Sequence, residues 1–176
     1  MHPSQSYISL TTITIDDLST MFTWINDRDQ VLFNAPYKPV HEGQHRAWFE
    51  AIQQRNDMVI FGIRMRESGK LVGYCQLHNI NLVHRTAELQ IRLGEVAERG
   101  HGYGTEATQL LLNFAFNDLN LNRVYLHVFH NNAPAIRMYE KVGFVHEGIL
   151  RKAAHIDGSY IDVLLMGILR EEYDKA

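Results

Sequence analysis

Three glycines at alternate positions, Gly100, Gly102 and Gly104, stand where the residue pattern changes period. Before them, Ala87, Leu89, Ile91 and Leu93 alternate with Glu88, Gln90 and Arg92, the two-residue period of a half-buried strand. After them, Ala107, Leu110, Leu111, Phe114 and Ala115 form an apolar stripe at helical spacing, which predicts a helix over Thr105 to Leu119. A strand that enters a glycine turn and leaves it as a long amphipathic helix points to an α/β arrangement. It also builds a distinctive surface. Glycine lets the backbone turn tightly and come close to a ligand. The helix N-terminus adds unpaired N–H groups and the positive end of the dipole. Arg99-Gly100-His101-Gly102-Tyr103-Gly104-Thr105 is therefore a candidate cradle for phosphate or pyrophosphate, although a plain strand-to-helix turn would use the same residues.

The rest of the pattern extends the α/β reading. Tyr7 to Ile13 alternates as a strand, and Leu18, Met21, Phe22 and Ile25 place a helix over Asp16 to Ile25, with Thr14 and Asp17 as a capping box. A second helix is expected from His41 to about Gln54, and strands at Val59 to Met65, Leu71 to Ile80, Ala87 to Leu93 and Arg123 to Phe129. Asn131 or Asn132 offers an N-cap for a helix with Pro134 in its first turn and Gly143 at its end. Two strands close the chain, near Phe144 to Leu150 and Tyr160 to Leu169, with a turn at Asp157-Gly158. The order is β-α-α-β-β-β-α-β-α-β-β, an α/β domain with a mixed sheet. No repeat, low-complexity run or linker interrupts it, so residues 1–176 are expected to form one domain.

The charge balance bears on function. Net charge is −3 and Lys and Arg are scattered, which argues against nucleic-acid binding through a basic face. The single cysteine, Cys75, excludes a disulfide within the chain, and a core position is expected for it. Met1 to Ser6 lacks the layout of a signal peptide, and no apolar run approaches the roughly 20 residues of a membrane span. A cytoplasmic protein without a membrane partner is expected. Among the ten histidines, His41 and His45 lie one turn apart, but no third ligand is placed and His-Glu-x-x-His is absent. Surface histidines and no metal are expected.

Two familiar phosphate loops do not match. The nucleoside-triphosphatase loop ends in Gly-Lys-Ser/Thr, whereas Gly104 is followed by Thr105 and Glu106. The dinucleotide loop needs a glycine where Thr105 stands. Arg99-Gly100-His101-Gly102-Tyr103-Gly104 instead resembles the Gln/Arg-x-x-Gly-x-Gly/Ala signature of the GNAT superfamily of N-acetyltransferases. Asn132-Ala133-Pro134-Ala135-Ile136-Arg137-Met138-Tyr139-Glu140-Lys141-Val142-Gly143-Phe144 resembles the family's Asn-x-x-Ala-Ile-x-x-Tyr-x-Lys-x-Gly-Phe stretch. Within that superfamily, His84 to Leu89 and Gly158 to Asp162 look most like the ribosomal-protein N-terminal acetyltransferases and the bacterial spermidine acetyltransferases.

The resemblance implies a largely antiparallel mixed sheet flanked by helices, acetyl-CoA as cosubstrate, and acetyl transfer to a primary amine. Such a transfer needs a neutral amine, and at pH 7 only about one alkylamine in a thousand is neutral. Glu88 is the expected base, directly or through a water, and Tyr139 the expected acid for the departing sulfur. Ile91, Arg92 and Leu93 are expected to contact the pantetheine arm through their backbone, with one N–H as donor to the acetyl oxygen. Arg99 to Thr105, Asn132, Arg137 and Lys141 complete the expected cofactor site. Asn26, Asp27, Phe33, Glu42 and Tyr160 are the expected acceptor residues, beside Trp24 and Tyr37. The acceptor is a polyamine-like molecule, a protein N-terminus or an amino sugar. A non-catalytic CoA-binding module on the same fold is the alternative. A homodimer is compatible with the resemblance, since some relatives pair.

Overall fold

A computed structural model describes residues 6–175. The N-terminal segment inspected for a targeting signal lies, through Gln5, outside the described residues. Seven strands form one sheet in the order β1-β2-β3-β4-β5-β7-β6. They are β1 (Ile8–Thr11), β2 (Val59–Met65), β3 (Leu71–Asn81), β4 (Thr86–Leu93), β5 (Arg123–Phe129), β6 (Val145–Ile156) and β7 (Ser159–Leu169). Every neighbouring pair is antiparallel except β4 and β5, which are parallel. That exception requires a crossover, and α4 (Tyr103–Asn113) supplies it. The expected mixed, largely antiparallel sheet flanked by helices is what forms.

The core lies between the sheet and the helices α4 and α5 (Ala133–Val142). Leu77, Ala87, Leu89, Leu111, Phe116, Leu126 and Tyr139 belong to one buried cluster. The apolar face of β4 read from alternation is the buried one: Ala87 is fully buried and Leu89 2% exposed. Cys75 lies in the same cluster, and burial pushes its thiol well above the usual range. On the other side, α1 (Leu18–Asn26) and α3 (Glu42–Ile52) pack beside β3 and the end of β4.

Local chemistry fixes where these helices begin. Thr14 and Asp17 form the expected capping box, with Thr14 N–H donating to Asp17 at 2.8 Å. The same carboxylate accepts from Arg64 on β2 at 2.7 Å, which fastens the start of α1 to the sheet. Burial works to raise the pKa of Asp17, but the Thr14 N–H and Arg64 outweigh it and hold the pKa below the usual carboxylate value. Trp24 of α1 is buried against Gly94, where an added Cβ would stand only 2.0 Å from the indole ring.

Several sequence expectations need correction. The first turn expected for α1 is a separate 3₁₀ turn, Ile15–Asp17, and a short helix α2 (Arg28–Val31) follows, nucleated by Asp27 as N-cap. α4 begins at Tyr103 because Gly102 in the left-handed region caps it, and its last expected turn, Phe114–Asp118, is π-helical. β6 runs to Ile156, well past Leu150. It is an exposed edge strand with no alternation to read. His45 is not a surface histidine: it is 4% exposed, its Nε2 lies 3.2 Å from the Leu18 carbonyl, and its ring stacks on Trp48.

Gly94→Ala is expected to lower the unfolding free energy by about 1–3 kcal/mol through overpacking against Trp24. Gly43→Ala in α3 has open space around it, so it should stabilise by roughly 0.4–1 kcal/mol. Urea unfolding of the pair checks both signs. Equal stability of Gly94→Ala and the parent chain would mean that α1 is not seated by that contact.

Candidate functional site

β4 and β5 share a ladder at Thr86↔Arg123, Ala87↔Val124 and Glu88↔Tyr125, and then part. β4 stays with β3 as far as Gly73↔Leu93, and β5 stays with β7 as far as Phe129↔Val163. The opened seam holds a cavity of about 200 Å³. Successive strand residues face opposite sides of a sheet, so two unlike walls meet in it. Leu89, Val128, Ala135 and Tyr139 come from the apolar side, and Glu88, Gln90, His78 and His127 from the polar side. Ile91 and the exposed Phe33 also line the cavity.

Glu88 sits at the centre of the polar wall. His127 Nδ1 lies 2.7 Å from Oε1 and His78 Nε2 lies 3.3 Å from Oε2. Asn79 Nδ2 donates to Oε2 at 3.0 Å. The last contact depends on an irregularity: the β3–β4 register shifts between His78 and Asn81, and Asn79 takes φ 51°. The side-chain hydrogen bond from His78 lowers the Glu88 pKa most. Burial opposes it, His127 adds to it, and the carboxyl is held down to about 2. Sequence reading missed His78, Asn79 and His127. Their common partner is set by strand register, and no local pattern reports register.

On the apolar wall, Tyr139 is 6% exposed and its ring packs edge-on against Phe144 at 5.6 Å. Burial pushes its phenol pKa well above the usual range, so the hydroxyl keeps its proton. Asn132 caps α5 by accepting from the Ala135 N–H at 3.3 Å, and its Nδ2 donates to the Phe33 carbonyl at 3.3 Å. The cap thus ties α5 to the segment between α2 and α3.

The glycine loop adjoins the far end of the seam. Gly100 and Gly102 have φ of 82° and 86°, a region closed to most side chains, and the space beside each is open. Gly102 precedes the first turn of α4, where Tyr103, Gly104 and Thr105 supply N–H groups with no carbonyl one turn before them. His101 stacks on Tyr103 at 5.7 Å. The Arg99 guanidinium is engaged within the chain, donating to the Leu93 carbonyl and to Gln30, each at 2.9 Å. Arg92 reaches the Tyr74 ring, 5.9 Å from its centroid, on the polar face of the sheet. Arg137 and Lys141 are exposed on α5.

The expected acceptor residues do not gather as a group. Phe33 lines the cavity, but Asn26, Asp27, Glu42 and Tyr160 do not. The Asn26 amide is occupied at both ends by Val40, through its N–H at 2.9 Å and its carbonyl at 3.0 Å. Asp27 caps α2, and the side-chain hydrogen bond from Gln30 is the main cause of its lowered pKa. Glu42 pairs with Arg46 at 3.4 Å on the exposed face of α3. Tyr160 stands exposed beside His155. No group of three metal-ligating side chains occurs among the described residues, and no helix among them is long and apolar enough to cross a membrane.

Comparison with known proteins gives consistent results. A family model described as the acetyltransferase (GNAT) domain matches residues 8–145. A spermidine N(1)-acetyltransferase from Vibrio cholerae is 33% identical over 147 residues, covering 84% of this chain and 75% of that protein. The Escherichia coli K12 spermidine N(1)-acetyltransferase is 38% identical over 105 residues, covering 60% of this chain and 56% of that protein. The crystal structure of the Vibrio cholerae spermidine N-acetyltransferase in complex with CoA and spermine superimposes with a TM-score of 0.90 at 29% identity, over 96% of this chain and 99% of that one.

The Glu88 cluster has a consequence for folding. A carboxyl whose pKa is depressed in the native state stabilises the fold above its unfolded pKa, and that contribution fades as pH falls through the native value. Glu88→Gln should therefore lower stability near neutral pH by on the order of 1–3 kcal/mol. The gap to the parent should narrow as pH drops from about 4.5 towards about 2. Urea unfolding across an acidic pH series checks this; a gap that stays constant with pH would mean that Glu88 gains nothing from its imidazole neighbours.

Proposed function

Because the chain belongs to the GNAT acetyltransferase family, and is thereby an acetyl-CoA-dependent N-acetyltransferase acting on an amine, we propose that its acceptor is a polyamine-like primary amine bound at the polar wall of the seam. One observation carries this reading: Glu88, an ionised carboxylate without a Lys or Arg partner among the described residues, lines the cavity opposite Tyr139. An ammonium group is drawn to such a charge, and the strands hold it facing the other wall. The likeness to spermidine acetyltransferases over most of the chain supports the same acceptor class.

Acetyl-CoA supplies the activated thioester. The residues present suit an elongated, phosphate-bearing ligand of that kind. The first turn of α4 and the open backbone of Gly100 and Gly102 form an anion-binding cradle. Beyond Glu88, β4 has no β5 partner, and the backbone groups of Ile91, Arg92 and Leu93 that do not bond β3 face the seam, apart from the Leu93 carbonyl, which accepts from Arg99; those left free can bind the arm. One of their N–H groups is the donor for the negative charge that develops on the acetyl oxygen. Glu88 centres the group that deprotonates the amine. Tyr139, buried and protonated, donates to the leaving sulfur. Asn132 holds α5 and Phe33 in register around the site. Residues 1–176 act as one domain in this scheme.

A thiol-release assay across an amine panel tests the acceptor class. Spermidine and spermine should turn over at least about tenfold faster than amino sugars or peptides with a free N-terminus. Faster turnover of N-terminal peptides would move the assignment to protein N-terminal acetylation, and CoA binding without turnover of any amine would leave a binding module. Tyr139→Phe should lower kcat by roughly 100-fold while KM for acetyl-CoA changes little. An unchanged kcat would reduce Tyr139 to a packing residue.

A further inference from the structure

Resting on the reading that an ammonium reaches the polar wall, the geometry points to His127, not Glu88, as the group that takes the amine's proton, with Glu88 as the residue that positions it. Donor and acceptor roles in the cluster lead to this assignment. An ionised carboxylate only accepts hydrogen bonds, so every nitrogen facing Glu88 must carry a hydrogen. His127 therefore donates from Nδ1 to Oε1 at 2.7 Å, and His78 donates from Nε2 to Oε2 at 3.3 Å. Asn79 donates to the same Oε2 at 3.0 Å. Both carboxylate oxygens are already engaged.

The two histidines differ in what remains free. The Nδ1 of His78 faces the Gln76 amide at 3.5 Å, so both of its nitrogens are occupied. His127 has its Nδ1–H fixed on Glu88, and its Nε2 has no hydrogen-bond partner among the described residues. Its side chain is 38% exposed and lines the cavity. A neutral imidazole with a hydrogen on Nδ1 carries its lone pair on Nε2. The bulge at Asn79 and the His78–Gln76 contact then serve to orient Glu88, which in turn orients His127.

Proton affinity favours the same atom. Taking a proton from an ammonium of pKa about 10 onto a carboxyl at about 2 is uphill by about eight powers of ten. Imidazole is a better proton acceptor than a carboxylate held that low, so transfer to the free Nε2 lone pair is the less uphill step. The charged and titratable groups around His127 are few. Glu88 faces it from β4 with His78 of β3 behind, and Tyr125 lies two residues back on β5 with its ring 6.0 Å away. β7 presents Leu165 opposite it, and the Arg123–Glu147 ion pair lies further along β5. In the step itself the ammonium N–H bond breaks and its proton bonds to Nε2. The electron pair stays on the amine nitrogen as its lone pair. The imidazolium formed sits beside the carboxylate and later releases the proton to solvent.

Two measurements decide this separately from the acceptor class. In the free protein, ¹⁵N NMR should find neutral His127 as the Nδ1–H tautomer, the minor form of imidazole in water, and Glu88→Ala should abolish that preference. An Nε2–H tautomer in the parent chain would overturn the assignment whatever the acceptor proves to be. With an amine that turns over, His127→Ala should lower kcat near neutral pH by about 100-fold, with KM for acetyl-CoA unchanged. The deficit should shrink as pH approaches the amine's own pKa, and added imidazole should restore part of the rate. His127→Gln, which keeps a donor to Glu88, should show the same loss without disturbing the fold. Glu88→Gln should cost only about tenfold and move the acid limb of the rate profile to lower pH. Full activity in His127→Ala, a uniform loss without imidazole rescue, or a deeper loss in Glu88→Gln would each overturn it. If polyamines fail while another amine turns over, the acceptor reading falls and the His127 measurements stand on that other amine.

Discussion

β4 and β5 are each held on one flank by an antiparallel neighbour and meet each other in parallel for three residue pairs. Parallel pairing is somewhat less stable per residue than antiparallel pairing. Where the twist can no longer satisfy both flanks, each strand keeps its antiparallel partner and the parallel seam gives way. Further constraints hold β4 to β3: the Gly94 N–H donates to the Val72 carbonyl at 3.0 Å, and Trp24 occupies the space over Gly94. The opening is thus a property of the strand order, and the site is built where it falls.

An opening within a sheet joins its two faces, which a surface cleft does not. The polar face brings Glu88, His78 and His127 to the seam, and the apolar face brings Tyr139 from α5. In the proposed mechanism, the proton taken from the acceptor and the proton given to the leaving group are handled on opposite sides of the same gap. The polar side is also one in which each buried group has its partner. Gln76 bonds Gln90 at 2.6 Å and faces His78, and His78 and Asn79 bond Glu88. Such a network holds its members in one arrangement because any rotation leaves a half-buried polar atom unpaired.

Much of the structure around the glycine loop and α5 was legible from residue order. The glycine loop, the stripe on α4, Asn132 and Gly143 are local patterns that act through backbone groups adjacent in sequence. β2 and β5 fall where alternation and composition put them. The side chains that meet on the polar wall were not legible, for a definite reason. Asn26 and Asp27 look like ligand-binding side chains in sequence, but the folded chain uses them to pin Val40 and to cap α2. The His78–Glu88–His127 cluster draws on β3, β4 and β5, and only their mutual register makes neighbours of residues 39 and 49 positions apart. His45 misleads in the opposite direction, since a single histidine on a helix gives no sign that Leu18 and Trp48 will enclose it.

The choice of imidazole around Glu88 is itself informative. A lysine or arginine in place of His78 or His127 would also hold the carboxylate ionised, but its permanent positive charge would cancel the field that an incoming ammonium senses. Imidazole N–H groups supply the hydrogen bonds without that fixed charge. Elsewhere in the chain several carboxylates meet arginine, Asp17 with Arg64, Asp57 with Arg55 and Glu147 with Arg123, and Glu140 meets a single exposed histidine, His146. The contrast separates two uses of the same acid. An arginine partner neutralises a carboxylate and closes it off, whereas a pair of histidines leaves its charge unneutralised and, in the mechanism proposed above, keeps one ring nitrogen free to take a proton from the ligand.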